Sequence, residues 1–256
     1  MSLIDDVMPH TGGNPDSLFS QVAERIAVAI VSGAAAPGEL IPNESAVSDG
    51  APVSRSVYRE AVKYLSGKGL IEARPKSGTR AAPVASWNLL DPDVLRWSLS
   101  AGANEKFIND LYELRLFIEP NVARIAAERR TDEQAQRILA AALGMAATDP
   151  ASPDNIRHDL AFHETLIDAC GNQALACLKG VVMTTLMWSL EIQHGKTAQD
   201  YQAALADHKR IAEAVSRRDG RQAEAVMRVL VNDSLEETLR MFRARRARLL
   251  GLKAAE

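Results

Sequence analysis

Residues 53–65, VSRSVYREAVKYL, decide how the first third of the chain is read. Wound as a helix, they place Arg55, Arg59 and Lys63 at four-residue steps along one side and Val57, Ala61 and Leu65 along the other. One side is then free to pack while the other meets phosphate. Pro52 stops whatever precedes it, and Ser54 stands where a helix needs an N-cap oxygen. The pattern alone fits a DNA recognition helix and an ordinary solvated surface helix equally well, so the flanking sequence has to separate them.

Upstream, Leu18, Val22, Ile26 and Ile30 recur at four-residue steps in LFSQVAERIAVAIVS, which predicts a helix over 18–32 ended by Gly33. The connection 34–44, AAAPGELIPNE, is rich in turn formers. Asn43 then caps a short helix over Glu44–Asp49, and Gly50, Ala51 and Pro52 turn the chain into the basic helix. Downstream, residues 70–83, LIEARPKSGTRAAP, read as two short strands joined at Pro75–Gly78 with Lys76 at the tip. Helix, turn, helix and hairpin in this order make a winged helix-turn-helix.

Charge supports that reading locally. The whole chain carries a net charge of only −3, yet the stretch from Pro52 to Arg80 holds Arg55, Arg59, Lys63, Lys68, Arg74, Lys76 and Arg80 against Glu60 and Glu72. One small region suits double-stranded DNA, and the rest is built for something else. At 256 residues the chain has room for two domains, and 46 % hydrophobic, 25 % charged and only 5 % aromatic residues favour a mainly α globular protein. No segment reaches ~18 uninterrupted apolar residues and the opening lacks a signal-peptide pattern, so the expectation is a cytoplasmic protein with no membrane partner. Cys170 and Cys177 form neither a metal-binding pair nor a disulfide framework.

The motifs Pro37-Gly38-Glu39, Pro42-Asn43-Glu44, Ser54-Arg55-Ser56-Val57-Tyr58-Arg59-Glu60-Ala61 and Ser77-Gly78-Thr79 stand in register over residues 18–83. In them the chain resembles the GntR family of bacterial transcription regulators. The resemblance implies DNA contacts from Ser54, Arg55, Ser56 and Arg59, with Lys76 and Gly78 in the wing. It places Ser45 where members often carry a DNA-contacting arginine.

The predicted domain layout is a disordered N-terminus over 1–17, the winged helix over 18–83, a linker over 84–103 and an all-α domain over 104–250. Trp87 and Trp97 are expected to dock the linker on the second domain. In that domain, breaks or caps near Pro120, Thr131 with Gln134, Ser152-Pro153, Gly171-Asn172, Gly195 and Gly220 predict six or seven helices, the first long one bent at Pro120. Arg240, Arg243, Arg245, Arg246 and Arg248 complement the dipole at the end of the last helix.

Asp159 and His163 share a helical face at i, i+4, and His208 on a later helix has room to join them. A carboxylate with two imidazoles suits a divalent ion, Zn²⁺ first, although the same spacing also fits a plain surface hydrogen bond. His158, His194 and Asp207 read as solvated. Here the chain resembles the ligand-sensing FCD domain of the FadR subfamily, carried by Glu113-Leu114-Arg115, Glu119, Asp159, His163, Gly171-Asn172 and His208. Metal-binding members use one more histidine, and that position is Leu230 in this chain. Trp87 to Trp97 and Glu113 to Pro120 further resemble the galactonate-operon repressor branch of sugar-acid sensors. This implies a dimeric, nucleoid-associated repressor whose effector, a small carboxylate such as galactonate, meets Arg115, Asp159, His163 and His208. In the alternative to an effector role, Arg115 only pairs with Glu119 one turn on. Other readings are a sensor of another organic or fatty acid derivative, a metal-dependent hydrolase using Asp159, His163 and His208, and an architectural DNA-binding protein without an effector.

Overall fold

A computed structural model describes residues 17–47, 53–74, 78–101, 103–193 and 198–249. They form a mainly α protein in two compact units that divide between residues 103 and 104. Lys76, His194, Gly195 and the expected disordered stretch before Ser17 lie outside the described residues.

The N-terminal unit begins with helix α1 (Leu18–Val31), capped by Ser17, whose hydroxyl accepts from the Ser20 amide. Its apolar stripe of Val22, Ala23, Ile26, Ala27 and Ile30 is buried. Asn43 accepts from the Ala46 amide as an N-cap should, and residues 44–47 make one turn before the description ends; residues 48 and 49 of the expected short helix are outside it. Helix α2 (Arg55–Gly67) starts at Ser54, which accepts from the Val57 amide, and sends Ala61 and Leu65 into the same core. Strands β1 (Ile71–Arg74) and β2 (Gly78–Ala81) pair antiparallel from Ile71 opposite Ala81 to Arg74 opposite Gly78. Gly78 has φ +79, a conformation that favours glycine at the start of the second strand.

The segment read as a linker is different from expectation. Residues 84–86 form a 3₁₀ turn and Pro92–Ser100 form helix α3, capped by Asp91. Val94 and Trp97 belong to the buried cluster of α1 and α2, and Trp87 packs against that cluster while its indole donates to the Ala82 carbonyl. Both tryptophans therefore anchor α3 to the N-terminal unit and not to the second domain. The attachment is also ionic. Lys68, just past α2, is buried, with its ammonium 2.6 Å from Asp91 and 3.1 Å from Asp93, and the Tyr64 hydroxyl donates to Asp93 at 2.6 Å. Gly69, at φ +78, lies so close to the Ser86 carbonyl that a Cβ would stand 2.0 Å from the oxygen. Only glycine fits there.

The C-terminal unit holds seven helices among the described residues: α4 (Glu105–Arg129), α5 (Asp132–Ala147), α6 (Pro153–Ala169), α7 (Gln173–Ala176), α8 (Lys179–Ile192), α9 (Ala198–Ser216) and α10 (Gly220–Leu249). Thr131 and Gln134 form the predicted capping box. Helix α4 runs as one helix through Pro120, which is buried. Helices α4 and α10 lie antiparallel, tied at one end by Arg243 to Glu105 at 2.6 Å and toward the other by Arg124 to Glu224 at 3.7 Å. Arg243 thus serves as a tie between helices, while Arg245, Arg246 and Arg248 are exposed. Helix α8 is buried from Val181 to Ser189 and packs against α6 and α10.

Replacing Lys68 by Met takes from Asp91 and the buried Asp93 the ammonium that lies between them. Breaking such a pair costs about 3 kcal/mol. Urea unfolding followed by Trp97 fluorescence is expected to show that loss, and parent-like stability would remove the ion cluster as the clasp of α3.

Candidate functional site

On α2 the two stripes separate as the spacing predicts. Arg55, Ser56, Arg59 and Lys63 are exposed, whereas Ala61 and Leu65 are fully buried. Ser54 and Ser45 are exposed as well, and Tyr58 donates its hydroxyl to the Pro42 carbonyl at 2.9 Å, tying the start of α2 to the preceding turn. Arg80 of the wing strand donates to the Gly38 carbonyl, so it supports the hairpin.

A cavity of about 420 Å³ opens within the C-terminal unit, lined among others by Arg115, Asp159, His163, His208 and Leu230. It collects side chains from α4, α6, α9 and α10. Arg115 is 3 % exposed and Glu119 2 % exposed, and the Arg115 Nε donates to Glu119 Oε1 at 2.5 Å. Burial alone would push the Glu119 carboxyl up, but the charges of Arg115 and His163 outweigh it and hold the group at about 2. Burial likewise works against the Arg115 charge, and Glu119 together with Tyr112 and Asp159 more than restores it. The guanidinium also lies 4.8 Å from the centre of the Tyr112 ring. The plain helical pair between Arg115 and Glu119 is thus present. It does not use up the arginine, because Nη1 is buried and has no hydrogen-bond partner among the described residues.

The other Glu119 oxygen lies 2.7 Å from Nδ1 of His163. A carboxylate at Nδ1 keeps the proton there and leaves Nε2 as the lone-pair nitrogen. His208 has the same arrangement by another route: its Nδ1 lies 2.7 Å from the Ala204 carbonyl, which only accepts, so Nδ1 carries the proton and Nε2 is left as a donor to a metal. Both Nε2 atoms face Asp159 Oδ1, at 3.5 Å from His163 and 3.8 Å from His208. One ligand atom from each of the three residues lies within 4.8 Å of the others, and all three side chains are buried. The phenyl ring of Phe162 stands edge-on to both imidazoles, with centroids 5.4 and 4.9 Å away, and fixes their planes. The donor set therefore fits a divalent ion: two imidazoles of settled tautomer, and a carboxylate oxygen that is buried with no hydrogen-bond partner among the described residues.

Leu230 is on the wall of this cavity and supplies no fourth ligand. Asp207, read as solvated, is 8 % exposed, lines the cavity and pairs with Arg210 at 2.8 Å. Its place follows from α9 packing against α5 and α10, which no local pattern announces. His158 is half-buried against Gly144. Sequence reasoning missed the link from Glu119 to His163, which joins residues far apart in the chain. It also missed the polar clasp in which Tyr112, Gln193, Ser234 and Thr238 share hydrogen bonds.

Comparison with known proteins agrees with this architecture. Residues 18–80 match the bacterial regulatory proteins of the gntR family, and residues 110–233 match the FCD domain. The chain is 31 % identical over 208 residues to the uncharacterized HTH-type transcriptional regulator YieP of Escherichia coli (strain K12), covering 78 % of this chain and 86 % of that one. The chain belongs to the GntR family of bacterial transcription regulators. The galactonate operon transcriptional repressor of the same organism is 29 % identical over 205 residues, 80 % of this regulator and 90 % of its own length. A solved structure described as Lar, which controls the expression of the Listeria monocytogenes agr system, superposes with a TM-score of 0.62 at 16 % identity, covering 88 % of this chain and 98 % of that one. That likeness speaks to the fold alone. With relatives and domains of this kind the GntR-family chain is a DNA-binding regulator of transcription and not an enzyme, so the hydrolase reading of Asp159, His163 and His208 is set aside.

The coupling of Glu119 to Arg115 and His163 sets a pH dependence. The Glu119 pKa is lowered from 4.5 to about 2, so the stability it contributes is present above pH 4.5 and is lost as pH falls from there toward 2. Glu119→Gln removes this component and strands a buried guanidinium, at a cost of about 3 kcal/mol at pH 7. Thermal unfolding of both proteins between pH 7 and pH 3 checks it; equal stability at pH 7 would show that the pair does not hold the site together.

Proposed function

We propose that this regulator is a homodimeric repressor of a sugar-acid catabolism operon, with a small carboxylate such as galactonate as the effector that governs its hold on a palindromic operator. In this reading Ser54, Arg55, Ser56 and Arg59 meet the DNA, Ser45 and the wing residues Lys76 and Gly78 assist, and Arg115, Asp159, His163 and His208 receive the effector. A divalent ion, Zn²⁺ first, would be held by Asp159, His163 and His208, where it would act as a Lewis acid and an anchor for an anion.

The observation that carries the reading is the buried Arg115 with an unpartnered Nη1 on the wall of the cavity that also holds the Asp-His-His group. A guanidinium with a vacant N–H in a dry site is matched by a carboxylate or a similar planar anion. Charge balance adds the metal. Glu119 offsets Arg115, and Asp159 is a further carboxylate facing the cavity. A divalent ion at that point would offset the Asp159 carboxylate and present a positive centre to an anion. The likeness to a galactonate operon repressor supports a sugar acid in particular. The effector changes DNA binding only by as much as it prefers one arrangement of the regulator over another.

Two measurements test the two halves of the reading. In a thermal-shift series, Zn²⁺ followed by galactonate at a hundredfold excess over its Kd is expected to raise Tm by about 5 °C, with the galactonate step lost in chelator and in Arg115→Lys. No response to any sugar acid, with or without the ion, would reject the sensor role. On the DNA side, Arg59→Ala is expected to weaken operator binding about tenfold and lower the salt slope by about 1, with the Zn²⁺ shift unchanged. Equal affinity for mutant and parent would take Arg59 off the DNA surface.

A further inference from the structure

Helix α10 presents a second buried polar atom to the same cavity. Glu237 lines the cavity beside Arg240. Its Oε2 is held by Arg240, which also reaches Asp200 at 2.6 Å, whereas its Oε1 is buried with no hydrogen-bond partner among the described residues. The cavity thus offers a vacant donor at Arg115 Nη1 and a vacant acceptor at Glu237 Oε1 among the described residues.

We infer that Glu237 reads a hydroxyl of the effector, so that the cavity selects a polyhydroxy monocarboxylate over fatty acids and dicarboxylates. This rests on the carboxylate-sensing reading given above. A hydroxyl donates to Glu237 Oε1 and satisfies an oxygen that is otherwise shut away from water, while an alkyl tail leaves it as it is. A second carboxylate is repelled, because Asp207 and Asp233 line the same wall with Glu236. The crowding of negative charge is felt there already: burial first, then Asp207 and Glu236, push the Asp233 carboxyl up.

The test is calorimetric titration of the Zn²⁺-loaded full-length protein with galactonate, hexanoate and galactarate. Galactonate is expected to bind at least tenfold more tightly than each of the other two. Glu237→Leu is expected to bring galactonate down to the level of hexanoate and to leave hexanoate unchanged. If the variant weakens both acids alike, Glu237 is a structural residue and the inference falls. Should the variant not fold, the parent decides alone: hexanoate or galactarate binding as tightly as galactonate overturns the inference and leaves the sensor reading intact. Binding of none of the acids by the parent is the failure of the sensor reading itself, and this inference goes with it.

Discussion

A guanidinium buried to 97 % survives only with a counter-charge at hand, and in this regulator Glu119 is that counter-charge. The same carboxylate also faces His163, so one side chain satisfies α4 internally and ties α4 to α6. From that contact the tautomer of His163 follows, from the tautomer the free Nε2, and from the free Nε2 the convergence on Asp159. His208 joins independently through a backbone carbonyl of its own helix. The polar wall of the cavity is thus braced at three points: Glu119 holds the Arg115 Nε and faces the His163 Nδ1, and the Ala204 carbonyl holds the His208 Nδ1.

The N-terminal unit uses the same device on a smaller scale. Lys68 is buried among Asp91, Asp93 and Tyr64, and the cluster closes α3 over the core of the winged helix. In both places a buried cation is held by carboxylates, and in both the ion cluster fixes position while the apolar core supplies most of the stability.

Much of this was legible in the sequence because it is local. The start of α1 at Leu18 follows from periodicity, the starts after Ser54 and Thr131 from their caps, and the two faces of α2 from a four-residue repeat. Asp159 and His163 on one face follow in the same way. What escaped was non-local. Trp87 and Trp97 are apolar anchors whichever unit they dock on, and their own sequence does not say which; the decision comes from Lys68, which looked like one more basic residue of a DNA-facing stretch. Asp207 resembled any charged residue on a helix, and its burial depends on which helices pack around α9. The link between Glu119 and His163 spans forty-four positions of chain and leaves no trace in spacing.

The clasp on α3 bears on how such regulators diversify. A sensor domain can be exchanged between genes only where the crossover leaves each hydrophobic core whole. A join made at Pro83, where the prolines and the loss of helical period suggest a boundary, would separate Trp97 from Val22 and Ile26 and Lys68 from both of its carboxylates. A join after Ala101 cuts neither. The interchangeable part of this molecule is therefore a winged helix with its α3 strap attached, and recombination between its relatives should leave its scars in the few residues between α3 and α4.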